Sequence, residues 1–182
     1  MKPQSIAVFC AASEDIAPHY AECAREVGAL IARQGCELVY GGASAGLMEV
    51  VASAVKENNG HVVGVVPEIL EQRNRVSRLI CEKKRTQNLS DRKDYMLGRS
   101  DIFIALPGGI GTLDEVFHVM AAATIGYHNK KVIFYNIDGF WNSIIAMLKE
   151  FEQKGFVRRQ SQELFIVADS LVELKKILEK QV

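Results

Sequence analysis

Short apolar runs rich in β-branched residues alternate with longer helix-period segments from one end of the chain to the other. Few folds accept this pattern. A run that is apolar at every position must be buried on both faces, and the intervening helices supply the covering layers. The alternation therefore predicts a Rossmann-like α/β fold, a doubly wound, mostly parallel sheet with helices on both faces. Candidate strands cover residues 6–10, 37–40, 62–66, 102–106, 132–135 and 164–167, with a weaker one at 79–81. Candidate helices cover 20–33, 47–58, 89–98, 113–126, 140–154 and 171–180. The stretch 67–86 has many charges and no clear period, and reads as a loop with some helix crossing the top of the sheet. No repeat or linker divides the 182 residues, which fit a single domain spanning 1–182.

Composition excludes several functions. Lys+Arg and Asp+Glu balance at 22 each, so the chain as a whole makes no case for nucleic acid or an anionic membrane as partner. The basic stretches Lys83-Lys84-Arg85 and Arg158-Arg159 read as solvated surface. Cys10, Cys23, Cys36 and Cys81 form no C-x-x-C pair, and His19, His61, His118 and His128 lie at no ligand spacing, so no metal site is expected. No apolar run reaches membrane-spanning length, and the N-terminus leads straight into a short strand. A soluble, cytoplasmic protein with reduced thiols is the expectation.

Ligands of such sheets bind above the carboxyl ends of the strands. Three loops meet that description: Ala11-Ala12-Ser13, the glycine-rich turn at 41–46, and Pro107-Gly108-Gly109-Ile110-Gly111-Thr112. The turn at 41–46 reads G-G-x-x-x-G, which is neither the dinucleotide fingerprint nor a Walker loop. The third loop follows a buried run and opens a helix. The first amides of a helix have no intrahelical partner and lie at the positive end of its dipole, so a phosphate there collects several hydrogen bonds. Gly108, Gly109 and Gly111 remove the Cβ atoms that would keep an anion away, and Thr112 is placed to act as N-cap.

Glu115 has two readings. Thr112-x-x-Glu115 matches the capping box, in which the carboxylate bonds back to the N-cap amide. Alternatively, a carboxylate beside a phosphate cradle can stabilise a cationic sugar or activate water. Arg92 and Lys93 share a mixed-sign helix face with Asp91, Asp94 and Arg99, the pattern of a solvated surface, or else present a guanidinium to a ribose or phosphate. The segment 116–125 is apolar nearly all the way round, so it requires cover from the sheet on one side and from a helix or a second subunit on the other.

Taken together these residues resemble the LONELY GUY (LOG) family, which also carries the label lysine decarboxylase. The resemblance rests on Val8-Phe9-Cys10 with Ser13, Leu38-Val39-Tyr40-Gly41-Gly42, Gly46-Leu47-Met48, Gly64-Val65-Val66-Pro67, Arg92-Lys93 and Pro107-Gly108-Gly109-x-Gly111-Thr112-x-x-Glu115. It implies a homodimer that hydrolyses the N-glycosidic bond of nucleoside 5′-monophosphates, releasing a free base and ribose 5-phosphate without metal or redox cofactor. By position, Arg92 and Glu115 become the catalytic pair, and Gly108, Gly109, Gly111 and Thr112 the phosphate holders. Ser13, Gly42, Gly46, Met48 and Lys93 become candidates for substrate contact. The chain departs from the family pattern at Ala11-Ala12, Ala43, Glu49, Leu89-Ser90 and Ala122-Ala123-Thr124, positions that bear on the base pocket. The rival readings are a non-catalytic nucleotide carrier or sensor, and a pyridoxal-phosphate decarboxylase, for which no lysine stands out as a Schiff-base candidate.

Overall fold

A computed structural model describes residues 3–157 and 161–180. Arg158 and Arg159, read above as solvated surface, lie outside the described residues. Seven strands form one sheet: β1 Ser5–Phe9, β2 Glu37–Tyr40, β3 Val62–Pro67, β4 Glu82–Thr86, β5 Ile102–Ala105, β6 Val132–Tyr135 and β7 Phe165–Ala168. Their order is β4-β3-β2-β1-β5-β6-β7, and every neighbouring pair is parallel. The eight α-helices among the described residues are α1 Pro18–Arg33, α2 Gly46–Glu57, α3 Glu68–Gln72, α4 Leu89–Arg99, α5 Ile110–Thr124, α6 Asn142–Gln153, α7 Ser161–Leu164 and α8 Leu171–Lys180.

The strands are apolar at consecutive positions because both faces are covered. In β1, Ile6 and Val8 pack with α1, α2 and α8, while Ala7 and Phe9 pack with α4, α5 and the approach to α6. The same alternation divides β5: Ile102 and Ile104 face the first layer, Phe103 and Ala105 the second. Among the described residues, no helix is long and apolar enough to cross a membrane.

Two expectations need correction. The weak strand at 79–81 is instead β4, three residues later, and it is the charged segment Glu82-Lys83-Lys84-Arg85-Thr86. A strand at the sheet's edge is solvated along one side, so it needs no apolar run. Lys83 Nζ and Arg85 Nε each reach a Glu71 carboxylate oxygen at 2.7 Å, which ties β4 to α3. Between them the chain crosses the top of the sheet, where Ala43 and Val76 form an antiparallel bridge and Ser77 N–H donates to the Gly42 carbonyl at 2.9 Å.

The second correction concerns α5. It starts at Ile110, not at 113, with Gly109 as N-cap and no side-chain capping bond. Thr112 therefore lies inside the first turn. The run of glycines lowers helix propensity and conceals the start.

The order of strands reverses at β1: the chain leaves it toward β2 and β3, and the later half builds from β5 on the other side. Such a switch point splays the loops above β1 and β5 and leaves a crevice. Three backbone bonds fasten its rim: Leu106 N–H to the Phe9 carbonyl at 2.9 Å, Ala11 N–H to Pro107 at 3.1 Å, and Leu47 N–H to Ala11 at 2.9 Å.

Candidate active site

The crevice is a cleft of about 320 Å³ lined by the Cys10–Ser13 loop, Met48, Arg92, Gly109, Gly111, Thr112 and Glu115. Larger hollows exist elsewhere, one of about 700 Å³ at the opposite end of the sheet around Glu37, Arg99 and Asp101. There Arg99 is engaged bidentately by Glu37 at 2.7 and 3.0 Å, and Asp101 accepts from the Gln4 and Ser5 amides. Those charges serve the fold. The switch-point cleft gathers open amides and a carboxylate paired with a guanidinium.

One wall of the cleft is the first turn of α5. The first bond into the helix is Leu113 N–H to the Gly109 carbonyl at 3.0 Å, so the amides of Ile110, Gly111 and Thr112 precede it. A Cβ built on Gly109 or Gly111 would meet nothing within 4 Å, so both residues face open space. Gly108 differs: its missing Cβ would lie 2.1 Å from Thr112 Oγ1, so this glycine makes room for the threonine hydroxyl.

Glu115 is buried one turn further along, 4% exposed. Its carboxylate does not return to the N-cap, as a capping box would require, but meets Arg92 Nη2 at 2.7 Å. Arg92 comes from α4, whose N-terminus is fixed by the Asn88 side chain accepting the Asp91 amide at 2.9 Å. The solvated-face reading of α4 thus holds for Asp91 and Asp94 but not for Arg92 and Lys93, whose side chains are 12% and 17% exposed. Burial pushes the Glu115 carboxyl up to about 7, with Arg92 opposing the shift, Asp114 adding to it and Lys93 opposing it. Burial likewise raises the Cys10 thiol on the cleft floor, with Glu115 adding and Arg92 opposing. Cys10 therefore presents a neutral S–H, not a nucleophile.

The remaining candidates are distributed around this pair. Ser13 and Met48 line the cleft. Gly46, with φ of 56°, brings α2 so close to the first loop that a Cβ would meet the Ser13 carbonyl oxygen at 2.5 Å. Gly42, with φ of 76°, packs on Val66 and does not line the cleft, and Lys93 turns aside to Asp114 at 2.7 Å. His118 contacts Asp94 at 3.1 Å, outside the cleft lining. Gly41 escaped the sequence reading as a site residue. Its Cα faces the Arg92 guanidinium, a proximity that no local pattern encodes.

Comparisons with known proteins place the chain in a family. A family model described as "Possible lysine decarboxylase" matches residues 48–178. Cytokinin riboside 5′-monophosphate phosphoribohydrolase LOG3 of Arabidopsis thaliana is 36% identical over 179 residues, which cover 98% of this chain and 83% of that protein. LOG4 of the same plant, a phosphoribohydrolase of the same name, is 37% identical over 175 residues, covering 96% and 81%. Among solved structures, the molybdenum cofactor carrier protein MCP from Chlamydomonas reinhardtii superposes with a TM-score of 0.75 at 24% identity, covering 99% of this chain and 98% of that one. At that identity the likeness is one of fold. With 36–37% identity to the phosphoribohydrolases over nearly the whole chain and a family model that matches residues 48–178, the chain belongs to the LOG family.

Proposed function

We propose that this protein hydrolyses the N-glycosidic bond of nucleoside 5′-monophosphates, AMP or N6-substituted AMP of the cytokinin riboside type, giving free base and ribose 5-phosphate. The observation that carries the reading is the Arg92–Glu115 contact at 2.7 Å, one helical turn beyond a wall of unpaired amides in the same cleft. The 5′-phosphate docks on Gly109, Gly111 and the Thr112 hydroxyl, with Gly108 giving that hydroxyl its place. Glu115 then faces the anomeric carbon, with Arg92 orienting ribose. As the bond from C1′ to the base nitrogen breaks, the sugar takes on oxocarbenium character, and an anionic carboxylate stabilises that state more than the neutral ground state. Water adds to C1′, and the departing base takes up a proton.

A carrier or sensor would hold the nucleotide on the same cradle but has no use for a buried carboxylate at the sugar. The two readings separate in one assay: incubation with AMP and with an N6-substituted AMP, followed by chromatography for free base. Release of base by the wild type and not by Glu115→Gln supports hydrolysis. Tight binding without release supports a carrier.

The outer face of α5 supports a homodimer. Phe117, Ala121, Thr124 and Ile125 line a shallow apolar groove together with Phe156, and Ile125 and Phe156 are 59% and 81% exposed. Contiguous apolar surface of this kind is what a second subunit covers. Four free thiols support residence in the reducing cytoplasm.

A further inference from the structure

Gly41 follows β2 directly, and its φ lies outside the left-handed region, so backbone conformation does not explain a glycine there. Space does. A Cβ at position 41 would lie 1.9 Å from Arg92 Nη2, 2.9 Å from Cζ and 3.4 Å from Nε. The guanidinium therefore rests against the bare Cα, and the same Nη2 atom meets Glu115 at 2.7 Å. We propose that Gly41 is a positioning residue, the open side of its Cα being the seat from which Arg92 reaches Glu115. The inference rests on the hydrolytic reading and deepens it.

A methyl group on Gly41 displaces the tip of a flexible side chain and leaves the strand in place. Moving Arg92 away then weakens a contact on which the state of Glu115 depends. The groups that face this carboxyl are Arg92 and Lys93 from α4, Asp114 from its own helix and the Cys10 thiol from the end of β1. With Arg92 withdrawn, burial and Asp114 are opposed by Lys93 alone, so the carboxyl holds its proton to higher pH.

The test is a double-mutant cycle between Gly41→Ala and Arg92→Lys, assayed by release of base from AMP across pH. Lysine keeps the positive charge and removes the planar fork that occupies the seat. We expect Gly41→Ala alone to lower kcat/KM at neutral pH by about tenfold and to move the ascending limb alkaline by about one unit, with activity recovering above it. In the Arg92→Lys background the same substitution changes kcat/KM by less than about twofold, the non-additivity of residues in contact. Equal losses in both backgrounds, or an unmoved pH profile, overturn the inference. Failure of Gly41→Ala to fold while the double variant folds supports it, and failure of both overturns it. A wild type that releases no base refutes the hydrolytic reading itself, which is a different outcome.

Discussion

Glu115 and Arg92 face each other at 2.7 Å from two different helices, the carboxylate buried and the guanidinium 12% exposed at the cleft. The carboxylate is held next to its partner in a medium that resists its charge, which places it near the point of ionisation at physiological pH.

Glu115→Gln is expected to reduce base release by about 10²- to 10⁴-fold, the range typical of a removed acid–base group. Because Gly109 is the N-cap and the carboxylate takes no part in capping, thermal stability at pH 5, where the carboxyl is protonated and neutral like glutamine, should stay within a few degrees of wild type. Circular dichroism melting beside the chromatographic assay checks both halves. Retained turnover would sink the mechanism.

Activity should rise with pH. With its carboxyl pushed up to about 7, Glu115 is protonated and inert toward a cationic sugar in acid, so kcat/KM climbs through that value. The substrate's own phosphate completes its second ionisation near about 6, so the enzyme's limb is read above that point.

Stability should run the opposite way. A carboxyl raised from 4.5 to about 7 on folding binds its proton more tightly in the native state. Its contribution is fully present below the unfolded value and is lost as pH rises through about 7. Melting temperatures of wild type and Glu115→Gln, compared from pH 5 to 8, should differ most at the alkaline end, where only the wild type carries the buried charge.

Gly111→Ala should separate folding from binding. Position 111 lies in the first turn of α5 with open space beside it, so alanine relieves the entropic cost of glycine and stabilises by about 0.5–1 kcal/mol. The new methyl group projects into the cleft, and KM for AMP should rise by about tenfold or more. An unchanged KM would place the phosphate elsewhere.

Phe156→Glu and Ile125→Asp each put a charge on the apolar groove beside α5. Light scattering behind size exclusion should show a dimer for the wild type and a monomer for these variants. A wild type already monomeric would leave the groove to another partner.

How far these residues could be read in advance depended on whether their role was local. The buried strands announced themselves because a segment covered on both faces is apolar throughout, and the strand-to-helix turn was marked by glycines at 108, 109 and 111 within four positions. β4 did not, since an edge strand built from Glu82, Lys83 and Arg85 resembles any solvated loop. Arg92 shares its helix with charges that do face water, and only the packing of α4 above Gly41 turns it inward. Gly41 shows the same limit: its value lies in an atom it lacks, opposite a residue fifty-one positions away.

The charged border strand has a further consequence for how copies of this molecule can meet. Any foreign strand laid alongside β4 would have to strip hydration from Lys84 and disturb the contacts of Lys83 and Arg85 with Glu71, and would bring a second Lys84 against the first if it came from another copy. Fibril-like growth along the ladder direction is thereby discouraged at that rim, and self-association is steered toward the helical flanks.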